Sequence, residues 1–240
     1  MKRVEKHYMS ILGLVLALVF VLSAEARAEL YTFDSWLYAG GTPGGNVMNQ
    51  LSVAVTDDDV GSNVVGENQV LFIFRNEGPT ASSITDIYFD DGTLLRIAGI
   101  YDTLTTGVSF DDPATPGNLP NGNAVNPHFV TSDAFSADSD NPITAYGVNP
   151  GESVGILFDL QNSKTLANVI AAMYAGFALG PDDNPTGTLR IGVHVQSIAT
   201  ALDEQGNPGS QSYILTPVPG AVILGLLGLG AVGLKLRKFA

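Results

Sequence analysis

Between Glu29 and Thr216 the apolar residues come in short runs with a period of two, and clusters of Gly, Pro, Asn and Asp separate them. Such a run places successive side chains on opposite faces of a strand, so the chain must bury sheets rather than helices. Residues 51–56 (Leu-Ser-Val-Ala-Val-Thr) alternate and enter the acidic turn Asp57-Asp58-Asp59. Residues 70–74 (Val-Leu-Phe-Ile-Phe) are apolar on both faces, the pattern of a central buried strand. Residues 83–89 and 93–100 flank Asp90-Asp91-Gly92, which predicts a hairpin because glycine accepts the positive φ of a tight turn. Residues 153–158 and 212–216 read as further strands. In residues 188–198, Leu189, Ile191, Val193 and Val195 point inward, and Arg190, Gly192, His194 and Gln196 point outward to solvent. Residues 31–38 read as one first strand, with Thr32, Asp34, Trp36 and Tyr38 on one face.

One segment breaks the rule. Leu166, Val169, Ile170, Met173, Tyr174 and Phe177 recur at helical spacing, with Ser163 or Thr165 as N-cap and a largely alanine opposite face. The stretch 111–150, rich in Pro, Gly, Asn and Asp, is long for a loop in a compact domain and is expected to hide one or two short edge strands. Residues 29–216 are therefore expected to form one mainly β domain. Its expected form is an antiparallel β-sandwich, jelly-roll or immunoglobulin-like, with about eight to ten strands and one packed helix.

Charge separates this domain from the ends of the chain. Residues 29–216 carry four basic side chains (Arg75, Arg96, Lys164 and Arg190) against 22 acids, a formal charge of −18. A surface of that sign repels phosphate backbones and attracts divalent cations, so nucleic acid is excluded as a partner. The chain has no cysteine, which rules out disulfides, thiolate metal sites and thiol catalysis.

The first 28 residues read as a signal peptide. Lys2, Arg3 and Lys6 form a positive start, residues 9–22 an apolar stretch too short for a bilayer span, and Ala26-Arg27-Ala28 a small-x-small cleavage site for signal peptidase. Residues 217–240 form a second address. Pro217-Val218-Pro219 precedes an uncharged apolar run, residues 220–234, and then the basic cluster Lys235, Arg237 and Lys238. A run that is apolar all round is expected to be a transmembrane helix, with the basic tail cytoplasmic and the domain outside.

The order of motif, apolar helix and basic tail, behind an N-terminal signal peptide, resembles the PEP-CTERM sorting signal of exopolysaccharide-producing bacteria. In that family the motif is Pro-Glu-Pro, and an exosortase, a transpeptidase-like membrane protease, reads it. Here Val218 stands in the glutamate position. The resemblance covers about 25 residues and implies sorting to the cell envelope or the extracellular matrix.

Within the domain, chemistry is sparse. There is no Gly-x-Ser-x-Gly, His-Glu-x-x-His or phosphate-loop motif, so the domain is read as non-enzymatic. No cofactor is expected beyond calcium, for which the acidic turns at Asp57 and Asp59 and at Asp138 and Asp140 are the candidates; neutral of any ion, such acids cap their own turns. Trp36 and Tyr38 are candidates for stacking on sugar rings. The expectation is an exported structural or adhesive protein of a bacterial surface or biofilm matrix, in contact with extracellular polysaccharide. The alternatives are a Ca2+-dependent carbohydrate-binding module and a secreted hydrolase with paired carboxylates.

Overall fold

The computed structural model describes residues 29–33, 35–37, 47–91, 95–133, 135–181, 183–202 and 205–215. The expected signal peptide, the Pro217-Val218-Pro219 motif, the apolar run behind it and the basic tail lie outside the described residues. The described chain is mainly β. Its strands are β1 (Glu29–Thr32), β2 (Ser35–Leu37), β3 (Leu51–Thr56), β4 (Gln69–Asn76), β5 (Ser83–Asp91), β6 (Leu95–Tyr101), β7 (Phe110–Asp111), β8 (Ser136–Ser139), β9 (Glu152–Leu160), β10 (Leu189–Leu202) and β11 (Pro208–Ile214). Two α-helices join them, α1 (Ile143–Tyr146) and α2 (Leu166–Phe177).

The strands form two antiparallel sheets, the first in the order β1-β3-β4-β9-β6 and the second in the order β2-β11-β10-β5-β8-β7. Period-two alternation explains the surface they share. Val53, Val55, Phe72, Ile156 and Phe158 of the first sheet join one buried cluster with Ile87, Phe89, Ile191, Val193 and Tyr213 of the second. Phe89 sits between its partners, 5.3 Å from Phe72 and 4.7 Å from Phe158 by ring centroids, each contact edge-on. Edge-to-face packing sets the positive rim of one ring against the negative face of the next.

Neither sheet leaves its outer face bare. On the first, Ala54, Leu71, Ile73 and Leu157 form a second small core under Val60, Val65, Tyr101 and Leu104. On the second, Tyr88 and Ile214 are covered by Ala114, Leu119 and Phe129. This explains why residues 70–74 are apolar on both faces: β4 is central in its sheet and buried on each side.

Where β4 crosses to β5, a buried polar knot holds the turn. The Gln50 amide donates to Asn76 Oδ1 at 2.7 Å, to the Thr80 carbonyl at 2.8 Å and to Ser82 Oγ at 3.0 Å. Asn76 donates in turn to the carbonyls of Ser82 and Val148. All three side chains are buried, and the network supplies partners that burial would otherwise remove.

Several expectations need correction. The first strand is two strands: β1 pairs with β3 in one sheet and β2 with β11 in the other, so the chain changes sheets near Phe33. Tyr31 and Phe33 are both core residues, which sets where the chain must turn. Asp90-Asp91-Gly92 does not close a hairpin. β5 pairs with β10 and β8, whereas β6 pairs with β9 in the opposite sheet. The acids there serve other contacts: Asp90 meets Arg190, and the Asp91 backbone exchanges hydrogen bonds with Ser132 Oγ.

Of the two expected N-caps, Ser163 and Thr165, helix α2 uses Thr165, whose N–H donates to Asn168 Oδ1 at 2.9 Å. Its buried face is rotated toward the small residues, however. Leu166, Val169, Ala172, Met173 and Gly176 are buried while Tyr174 is exposed. A Cβ on Gly176 would stand 2.5 Å from the Leu189 carbonyl oxygen, so only glycine lets the helix lie this close to β10. The stretch 111–150 does hide a short strand near the sheet edge, β8, and also the helical turn α1, which the sequence pattern did not announce.

Truncating Phe89 removes the ring that both sheets share. Phe89→Ala is expected to lower unfolding free energy by about 3–5 kcal/mol, while Asp57→Asn on the exposed turn changes it by less than about 0.5 kcal/mol. Urea titration of residues 29–216 measures both.

Candidate functional site

Antiparallel partners that stand directly opposite share a face, so the register of the second sheet places distant residues in one row. Asp111 stands opposite Asp138, Asp138 opposite Asp86, Asp86 opposite His194, and His194 opposite Ser212. The row runs across five strands on the outer face. At its centre Thr85 is an extra residue in β5, because the register steps from the Asp86–His194 pair to the Ile84–Val195 pair. Such a bulge turns side chains locally, and here Thr85 Oγ1 donates to Asp86 Oδ2 at 2.7 Å.

His194 Nδ1 lies 2.9 Å from the same Asp86 oxygen, and the two side chains are only 13% and 6% exposed. The expected solvated strand histidine is therefore a largely covered, paired one. Tyr88, two residues along, donates its hydroxyl to the Pro116 carbonyl at 3.0 Å. Burial and then the nearby Asp86 carboxylate push its phenol well above the ordinary tyrosine range, which keeps it a neutral donor.

The lid over this row is the segment 112–131. Its backbone is tied to β8: the Ala114 N–H donates to Ser136 Oγ at 3.1 Å and the Thr115 N–H to Asp138 Oδ2 of the row at 3.0 Å. Leu119 and Phe129 lie on Gly192, where a Cβ would come within 2.6 Å of Leu119. Arg190 fastens the far end. Its guanidinium pairs with Asp90, donates to the carbonyls of Pro127 and His128, and stands 5.4 Å from the centre of the Phe129 ring. A planar fork with several donors satisfies these acceptors together.

Ser212, His194 and Asp86 follow one another as a nucleophile, base and orienting acid would. The arrangement does not present that chemistry. Ser212 is fully buried, and its Oγ makes no hydrogen bond to His194 or to any other described group. The row lies along a seam: Asp138 accepts a backbone N–H of the segment 112–131, and Asp86 and His194 bond to each other.

A separate concavity lies where both sheets end. Edge strand β6 and edge strand β7 flank a cleft of about 360 Å³, lined by residues 97–100 of β6, by Phe110 and by Asp102, Asp111 and Asp112. β6 carries an irregularity between Ile97 and Gly99, which bends this edge. Carboxylates beside free edge backbone can accept hydrogen bonds from a hydroxyl-rich or cationic ligand. No sequence motif marks the cleft, because it exists only through the pairing of strands distant in sequence.

The residues singled out from sequence do not meet at either place as a set. Asp57, Asp58 and Asp59 are exposed at the end of β3, where Asp59 Oδ1 accepts the Val65 N–H at 2.7 Å. Asp138 belongs to the row, while Asp140 accepts the Ser109 hydroxyl at 2.6 Å. Each of Asp59, Asp138 and Asp140 caps nearby backbone or hydroxyl groups. Among the described residues no group of three or more His, Asp or Glu side chains is placed to hold a metal ion. Trp36 is paired through its backbone with Tyr213, and Tyr38 lies outside the described residues.

Asp138 gives this seam a pH signature. Burial raises its carboxyl above the usual range and the adjacent Asp86 and Asp111 add to that, against the opposing pull of the Thr115 N–H. A native carboxyl with a raised pKa binds its proton more tightly than the unfolded chain does. Its contribution to stability is then complete below about pH 4 and is lost as pH rises through the raised value. Asp138→Asn keeps an acceptor for Thr115 without the charge. The variant is expected to melt higher than wild type at pH 7, with the gap closing toward pH 3; a wild type that is the more stable at pH 7 would contradict this.

No family model matches the chain, and neither a curated protein nor a solved structure matches it.

Proposed function

We propose that residues 29–216 form a non-enzymatic β-sandwich, exported through the signal peptide and sorted through the C-terminal address to the cell envelope or extracellular matrix. There it serves as a structural or adhesive component in contact with extracellular polysaccharide. The observation that carries this reading is the placement of a strongly acidic domain between two apolar segments with basic flanks. The internal chemistry of the domain agrees. Asp86 and His194 pair with each other, and Arg190 fastens the segment 112–131 over the sheet, which favours a stable module over a reactive centre.

On this reading signal peptidase cuts after Ala28, and an exosortase-like protease acts near Pro217, Val218 and Pro219, removing Lys235, Arg237 and Lys238 with the apolar run. Intact-mass measurement on the protein released by the cells that make it tests the sorting step. The expected product begins at Glu29 and lacks residues 235–240. A released product that retains those six residues would overturn it.

The cleft between β6 and β7 favours a second reading, a carbohydrate-binding module, because Asp102, Asp111 and Asp112 offer hydroxyl acceptors beside strand-edge backbone. Thermal melting with and without a neutral oligosaccharide at millimolar concentration tests it. A rise in Tm that Asp111→Asn abolishes is expected if the cleft binds the sugar; equal Tm values in both conditions would remove this reading.

A further inference from the structure

Helix α2 carries no charged residue over its 12 positions, and no acid occurs between Asp159 and Asp182. One side of the helix packs on the core through Leu166, Val169 and Met173. The other side is exposed or half-buried and presents Ala167, Ile170, Ala171, Tyr174, Ala175 and Phe177. Tyr174 is 43% exposed, its ring edge-on to Phe177 at 5.8 Å. A helix at the surface of a domain ordinarily shows charged side chains to water, and one that is apolar on every side is normally covered.

The position of α2 in the fold identifies the cover. The Leu215 N–H donates to the Ile191 carbonyl, and Gly176 of α2 lies against the carbonyl of Leu189, two residues along the same strand. Two strand residues span about 7 Å. β11 is antiparallel to β10 and runs from Pro208, opposite Leu202, to Ile214, opposite Gly192, which carries the chain toward α2. The described chain therefore ends beside this helix. Gly220, where the apolar run starts, is five residues past Leu215, and five residues of fully extended chain reach about 17 Å. If that run crosses a bilayer, the α2 end of the domain is held within this distance of lipid. Charge agrees with such a neighbour. Anionic headgroups would repel acids here; the helix has none, and Lys164 stands directly before its N-cap, Thr165.

We propose that α2 rests on the lipid surface while the chain is anchored, with Tyr174 at the level of the headgroups and the alanines against the acyl boundary. This rests on the reading of residues 220–234 as a membrane span. So small a face binds lipid weakly alone, but the anchor supplies the second attachment and keeps the surface at high local concentration. The docked helix fixes how the domain stands on the membrane. Removal of the anchor leaves only the weak contact, and the domain is released.

The absence of cysteine allows a single nitroxide label in each molecule. The full chain is labelled in turn at Ala171→Cys, at Thr200→Cys on the exposed far end of β10, and at Leu227→Cys in the apolar run. Each form is placed in phosphatidylcholine vesicles, and its collisions with oxygen are compared with those with a water-soluble nickel chelate present on both sides. The Ala171 label is expected to meet the chelate at least about fivefold less often than the Thr200 label. Adding Ala167→Glu, a charge on the same exposed face, is expected to abolish that difference. Equal chelate access at Ala171 and Thr200, with Leu227 shielded, would overturn the docking and leave the span standing. Chelate access at all three sites would overturn the span, and the docking with it. Dipolar broadening of the Ala171 label that grows with protein density would show that the face meets a second copy, and would also overturn the proposal.

Discussion

The interlock of Phe89 with Phe72 and Phe158 is the contact on which the architecture depends. One ring comes from the second sheet and two from the first, so none of the three is buried without the other sheet in place. Each ring gains about 1.5–3 kcal/mol on full burial, and all of it is conditional on the sheets meeting. That condition explains the path of the chain. β5 and β6 follow one another in sequence but serve opposite sheets, as do β9 and β10, because each sheet must supply one wall of the same core.

Burial on the inner faces leaves the outer faces to be dealt with, and the chain handles each with its own cover. The first sheet uses apolar residues of a short turn, with Tyr101 donating its hydroxyl to the Val64 carbonyl at 2.7 Å. The second uses a longer cover and fastens it with polar groups. Further hydrogen bonds offset the desolvation cost of an ion pair as buried as Arg190–Asp90. Here the carbonyls of Pro127 and His128 and the ring of Phe129 complete the guanidinium's surroundings, although its Nε stays without a partner. A strongly acidic domain thus uses one of its four basic side chains at the place where the cover closes.

Much of the framework was legible in the residue pattern, and the failures share a cause. The alternation in residues 189–195 named the inward face of β10 correctly, since Leu189, Ile191, Val193 and Val195 all enter the shared core. The double-sided run at residues 70–74 named a central strand. What the pattern could not contain was pairing at long range. Asp86 lies 108 residues before His194, and only the β5–β10 register and the bulge at Thr85 bring them together. The outward face of β10 read as solvated because the cover that hides it has no periodicity; Leu119, Val125, Phe129 and Val130 are its larger apolar residues, scattered among Pro, Gly and Asn. The Asp-Gly turn misled because local turn chemistry favours a hairpin, while the core required β5 and β6 on opposite walls. The candidate cleft was invisible for the same reason, being built from the free edges of two sheets.

The functional reading depends on the row from Asp138 to Ser212 being a closed seam rather than an open binding or catalytic face. Two histidines offer a direct probe, because residues 29–216 contain only His128 and His194. His128 is exposed on the cover, and His194 lies beneath it, 13% exposed and bonded to Asp86. Acylation of the folded domain with an imidazole-directed reagent, followed site by site by mass spectrometry, compares them in one sample. The account predicts rapid modification of His128 and slow modification of His194 that becomes comparable only in denaturant. Equal rates for the two histidines in the native protein would show that the seam opens readily, and would contradict the account.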